Sequence, residues 1–132
     1  MRVARRLVEL EKEHVFTQDE FTWLRHMIDD LGPISLHYIM FITGLRDGCN
    51  EEQAKMFLEP AEKGLIIGCY AQTELGHGSN LSNLEITATF DKKRGDFDFH
   101  SPTLTACKWW IGGLGIIATH ALVQAKLIID NK

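Results

Sequence analysis

Residues 72–80 read QTELGHGSN, and residues 108–115 read KWWIGGLG. Each is a glycine-rich turn beside a short neutral segment, and GLIIGCYA at 64–71 leads into the first. Glycines placed this way let the backbone approach a ligand where a Cβ would collide. Neutral N–H donors with a hydroxyl or two then suit a flat ligand with a polar edge. Thr73 and the amides around it are such donors, while Trp109 and Trp110 offer a wall for a ring. The same residues also permit a plainer arrangement. In it Gly76 and Gly78 make a tight turn and the tryptophans fill a core.

Other chemistries fail on spacing. Gly76 and Gly78 lack a third glycine at dinucleotide-loop spacing, and 112–115 does not match either. No phosphate-binding G-x-x-x-x-G-K-[ST] string occurs. The six histidines include no H-E-x-x-H and the cysteines no C-x-x-C, so no metal site is expected. Ser79 has no G-x-S-x-G elbow to make it a nucleophile. What remains is a cofactor held through backbone. A flavin ring fits, since its pyrimidine edge presents carbonyl and N–H groups.

The chain has 132 residues, with 45% hydrophobic and 24% charged, the composition of an ordinary globular domain. A compact chain of this length buries about two thirds of its extended surface. No apolar run is long enough to span a membrane, and the N-terminus lacks the apolar centre of a secretory signal. Net charge is −4; residues 1–63 hold 8 Lys/Arg against 12 Asp/Glu, whereas 64–132 hold 6 of each. No basic stripe argues for nucleic acid. Cys49, Cys69 and Cys107 are odd in number and far apart, which favours free thiols packed as small hydrophobes.

The elements that must position the two turns follow an α+β order. Residues 1–63 read as helices. Val3, Leu7 and Leu10 have helical spacing, and Thr17 with Glu20 makes a capping box before the stripe Phe21, Leu24, Ile28. Residues 29–33 should end that helix. A buried helix is expected over 34–45, and another capped at Asn50 and running until Pro60. From Gly64 the texture changes, and residues 64–132 read as an antiparallel β-domain. Leu84, Ile86, Ala88 and Phe90 alternate on one face of a strand, and the charged tip 91–96 returns into 97–100 as a hairpin. Residues 118–129 are expected as one strand because they follow glycine-rich turns, with a helix as the alternative for so short an apolar run. Three or four strands leave open sheet edges, so the chain reads as a fragment.

The string IIGCYAQTELGHGSN at 66–80 resembles the signature of peroxisomal acyl-CoA oxidases. Residues 36–42 and 52–63 resemble the helical segments before it, and 101–103, 108–115 and 118–121 resemble the second signature. The resemblance covers roughly residues 20–130. It implies FAD lying against the β-domain, touched by Thr73 through hydroxyl or amide and by Gly112 through backbone. Gly76, Gly78 and Ser79 would line the entrance for a fatty acyl-CoA. The family's reaction yields 2-trans-enoyl-CoA and hydrogen peroxide, the first step of peroxisomal fatty acid β-oxidation.

The resemblance places the catalytic carboxylate in a C-terminal helical domain, so no catalytic residue is expected in these 132 residues, and Glu74 is not promoted to that role. Family members are homodimers whose C-terminal domains complete the FAD site. Ile111 and Ile116 stand where many members have Pro and Lys, and the C-terminus is not the S-K-L type of peroxisomal address. Peroxisomal localisation therefore rests on the resemblance. Two other functions stay open at this point. One is an acyl-CoA dehydrogenase-like flavoprotein with a protein electron acceptor, and the other a non-catalytic truncated subunit that binds full-length oxidase.

Overall fold

A computed structural model of the protein describes residues 6, 9–10, 13, 16–27 and 34–130. Helices come first and strands after, so the fold class is α+β. The N-terminal stripe lies outside the described residues apart from Leu10, which is helical. The expected helix end at 29–33 lies outside them too.

Helix α1 (Gln18–Met27) starts where the capping box places it. The Glu20 carboxylate accepts the Thr17 N–H at 2.8 Å, and the Glu20 N–H donates to the Thr17 hydroxyl. Of its expected apolar stripe, only Leu24 is among the described side chains, half-buried. The apolar 34–45 segment is helical but wider than expected. A π-helical stretch, His37–Ile42, runs straight into α2 (Thr43–Gly48). The next helix has the expected Asn50–Gln53 capping box, with bonds of 2.9 and 3.0 Å. It passes from α3 (Glu51–Gln53) through π-helical Ala54–Leu58 into α4 (Glu59–Glu62).

This last helix corrects the expected stop at Pro60. Proline has no N–H to give, and the wide π turns just before it reset the hydrogen-bond ladder so that the helix continues.

The hairpin forms as read. Strands β2 (Thr87–Asp91) and β3 (Asp96–His100) pair antiparallel, with Phe90 opposite Phe97. Leu84, Ile86 and Ala88 are buried on the expected face. The segment expected as one strand over 118–129 divides into β4 (His120–Val123) and β5 (Lys126–Ile128). Strand β4 pairs with β1 (Gly68–Ala71), and β5 joins the other edge of β2. That last pair runs parallel, Thr87 opposite Lys126, within an otherwise antiparallel expectation.

By packing, the chain forms two units: residues 1–69 with 112–121, and residues 70–111 with 122–132. In the first, Phe41, Ile42, Ala61 and Cys69 are buried around His37, whose exposure is 0%. The Gly68 N–H donates to His37 Nδ1 at 3.0 Å, so Nε2 carries the proton and donates to the Ala61 carbonyl at 3.1 Å. This neutral tautomer ties the helical segment to the start of β1. Burial pushes the His37 pKa down from 6.5, and the Ala61 carbonyl only partly offsets it. The cysteines are all free, but only Cys69 is buried. Cys107 is exposed, which corrects its expected role as a small buried hydrophobe.

Gly68 lies against the Phe41 ring so closely that a Cβ would fall 2.0–2.3 Å from ring carbons. Phe41 is rigid and 2% exposed, so it cannot step aside. Gly68→Ala is therefore expected to lose about 1–3 kcal/mol in urea unfolding. An unchanged midpoint would remove this close approach. His37 adds a pH dependence. Its folded pKa is below the unfolded value of 6.5, so the unfolded chain binds the extra proton as pH falls through that region. Stability should be full above pH 6.5 and fall by at most about 1.4 kcal/mol per pH unit below it. His37→Gln should flatten that slope.

Candidate functional site

The second unit is organised by a buried carboxylate. Glu74 is 1% exposed, yet each of its oxygens is bound. Oε2 accepts the Glu85 N–H at 2.8 Å; Oε1 accepts the Ile86 N–H at 3.1 Å and lies 3.4 Å from the Lys108 ammonium. Burial alone would raise the Glu74 pKa, but the two N–H groups and the Lys108 charge outweigh it and hold the carboxyl below 4.5. These bonds also explain why β2 starts at Thr87 rather than Leu84. The N–H groups of residues 85 and 86 point at a side chain instead of a neighbouring strand.

Lys108 is the second half of the arrangement. Its ammonium donates to the carbonyls of Gln72 at 2.8 Å and Gln124 at 2.7 Å, besides facing Glu74. Burial lowers its pKa from 10.5, with Glu74 opposing. The next residue continues the contact, since the Trp109 N–H donates to the Thr73 carbonyl at 3.0 Å. The structure thus joins the two motifs through Lys108 and Trp109 on one side and residues 72–74 on the other.

Thr73 sits half-buried at this junction. Among the described residues, neither its hydroxyl nor its N–H has a hydrogen-bond partner. Both are available to a ligand. Gly76 and Gly78 differ in role. Gly76 donates its N–H to the Thr105 carbonyl at 3.0 Å, and a Cβ on it would approach Thr105 Cβ to 3.0 Å. Gly78 has room, with only Thr73 Cγ2 at 3.8 Å, and Gly78 and Ser79 are exposed.

Gly112 belongs to the first unit, where a Cβ would lie 2.6 Å from Leu36 Cδ1. The turn after it is tight, with the Gly113 carbonyl accepting from Ile117 and Ala118 at 3.1 and 3.0 Å. Trp109 and Trp110 are 58% and 78% exposed, so the reading in which they fill a core does not hold. Trp110 also has φ 49°, a conformation that costs an L-residue about 1–2 kcal/mol.

One cluster has metal-like composition: Glu74, His77 and Glu85 bring ligand atoms within 4.8 Å. Several of its atoms are committed elsewhere. His77 Nε2 lies 2.8 Å from the Asn83 carbonyl, which can only accept, so that nitrogen bears a proton. Glu85 Oε2 accepts from the hydroxyls of Thr103 and Thr105 at 2.6 and 3.0 Å. Lys108, Gln124 and His37 were not singled out from the sequence. A signal for the first was present: Lys108 is the one Lys, Arg, Asp or Glu between Asp98 and Lys126.

Residues 1–67 match the family model for the acyl-coenzyme A oxidase N-terminal domain. The chain belongs to the acyl-CoA oxidase family. It is 50% identical over 128 residues to peroxisomal acyl-coenzyme A oxidase 1 of Arabidopsis thaliana, covering 97% of this chain and 19% of that protein. Among solved structures, Arabidopsis thaliana acyl-CoA oxidase 1 superposes with a TM-score of 0.86 at 47% identity, over 99% of this chain and 20% of the other. Acyl-CoA oxidase-2 of Caenorhabditis elegans, bound with FAD, ascaroside-CoA and ATP, superposes with a TM-score of 0.85 at 43% identity, over 100% and 20%. The chain therefore spans about a fifth of the oxidases it matches. No described helix is long and apolar enough to cross a membrane.

Removing the Glu74 carboxylate strands two buried N–H groups and leaves Lys108 without its counter-charge. Glu74→Ala is expected to cost about 3–5 kcal/mol in urea unfolding, and Glu74→Gln, which keeps one acceptor oxygen, less. A Glu74→Gln chain as stable as the unsubstituted one would mean that the charge is not what the fold uses.

Proposed function

We propose that the chain is the flavin-contacting segment of an FAD-dependent acyl-CoA oxidase acting on a fatty acyl-CoA. The observation that carries this reading is Thr73. Both peptides beside it are pinned, while its own N–H and hydroxyl are unpartnered among the described residues. A flavin's polar edge needs such donors, and bound FAD would supply hydride acceptance and reaction with oxygen.

Thr73 holds the edge of the ring, and Gly112 keeps its own stretch of backbone clear of a Cβ. Gly76, Gly78 and Ser79 line the entrance for the acyl-CoA thioester. In the family's reaction the substrate and O2 become 2-trans-enoyl-CoA and hydrogen peroxide. Glu74 does not serve as the base, because its oxygens are taken by two N–H groups and an ammonium. The resemblance places the base in a C-terminal helical domain outside these residues, so the chain alone is inactive in this reading. The relatives' names favour the oxidase over a dehydrogenase and support a peroxisomal location. Homodimer assembly is carried over from the resemblance.

The test uses the isolated chain and a chimera in which residues 1–132 replace the matching segment of the Arabidopsis oxidase. With FAD and palmitoyl-CoA, the chimera should form peroxide and the isolated chain should stay at background. Thr73→Ala in the chimera should weaken FAD binding by up to about tenfold, the loss of the hydroxyl's hydrogen bond while the N–H stays. Peroxide turnover by the isolated chain would overturn the missing base. A folded chimera that fails to retain FAD would overturn the flavin reading.

A further inference from the structure

An ammonium has three protons, and Lys108 spends them on three acceptors from separate parts of the second unit: the Gln72 carbonyl, the Gln124 carbonyl and Glu74 Oε1. Its side chain is 11% exposed, so water does little of this work. The Gln72 carbonyl is the informative partner. It shares one planar trans peptide with the Thr73 N–H, and the two point in opposite directions within that plane. Fixing the oxygen on Lys108 therefore fixes the direction of the N–H.

The positive charge also draws electron density toward the carbonyl, which makes the N–H at the far end a stronger donor. The peptide after Thr73 is held as well, by the Trp109 N–H on the Thr73 carbonyl. Two successive residues thus immobilise Thr73 from both sides and leave its donors facing away. We infer that Lys108 is a positioning residue for the cofactor: it aims and strengthens the Thr73 N–H toward the polar edge of the flavin. The inference rests on the proposed function for the identity of the ligand, but the aiming itself is a property of this chain.

A merely structural lysine would hold the fold without controlling that N–H, so the test reads both ends of the contact, the Lys108 ammonium and the Thr73 N–H. In the isotopically labelled full chain without FAD, the Lys108 ammonium protons should exchange with solvent at least about tenfold more slowly than those of exposed Lys92 and Lys93, as buried charge-assisted bonds require. Exchange as fast as at Lys92 overturns the proposal, whether or not any variant folds. Lys108→Met should shift the Thr73 amide resonance and, in the folded chimera, raise the Kd for FAD by about tenfold or more. Lys108→Arg restores the charge on a planar head that cannot reach three acceptors alike, so it should recover only part of that affinity.

A Lys108→Met chain that loses stability yet keeps its Thr73 resonance and its FAD affinity overturns the positioning role. If the unsubstituted chimera binds no FAD, the proposed function fails. The Thr73 resonance and the ammonium exchange still decide whether Lys108 aims the peptide.

Discussion

The second unit depends on one buried ion pair, Glu74 with Lys108, and on the fact that the pair is fully satisfied. Burying two charges costs several kcal/mol each unless their remaining lone pairs and protons find partners. Here they do. The carboxylate takes two backbone N–H groups as well as the ammonium, and the ammonium takes two backbone carbonyls as well as the carboxylate. The partners come from residues 72, 85, 86 and 124, which share no strand or helix. Hydrogen bonds that a sheet would ordinarily supply between strands are supplied by two side chains. This lets four loop segments meet around Thr73 without pairing as a regular sheet.

The first unit solves a similar problem without charge. His37 joins a helix to the start of β1 by accepting from one backbone group and donating to another, and it does so as a neutral ring. No counter-ion is needed, and the surrounding Phe41, Ile42 and Cys69 can close around it. The two units therefore place a polar side chain at the same kind of junction under different rules. One is stabilised by charge complementarity and the other by tautomer choice.

Local chemistry was legible in the sequence, and long-range satisfaction was not. The Thr17 and Asn50 caps and the alternating residues from Leu84 to Phe90 are signals within a few residues, and each produced the expected element. The break between β4 and β5 has no glycine or proline to announce it. It falls at Gln124, whose N–H goes to the Ala71 carbonyl and whose carbonyl goes to Lys108. Pro60 misled for the opposite reason, since its usual effect is cancelled by the π turns before it. At the site, the glycines and Thr73 were readable as a motif. The groups that orient them were hidden in two lone opposite charges, each set in a neutral stretch, whose pairing only the fold reveals.

The parallel joining of β5 to β2 bears on how the protein is made. The hairpin partner of β2 follows it after a short tip, so that edge can close as soon as residue 100 is synthesised. The opposite edge must wait for residues 126–128, after the whole second motif and β4 have emerged. Until then Ala88 and its neighbours present an unpaired strand edge in the cell, the kind of surface that recruits chaperones or other nascent chains. The order of synthesis thus makes the last few described residues the ones that end this exposure.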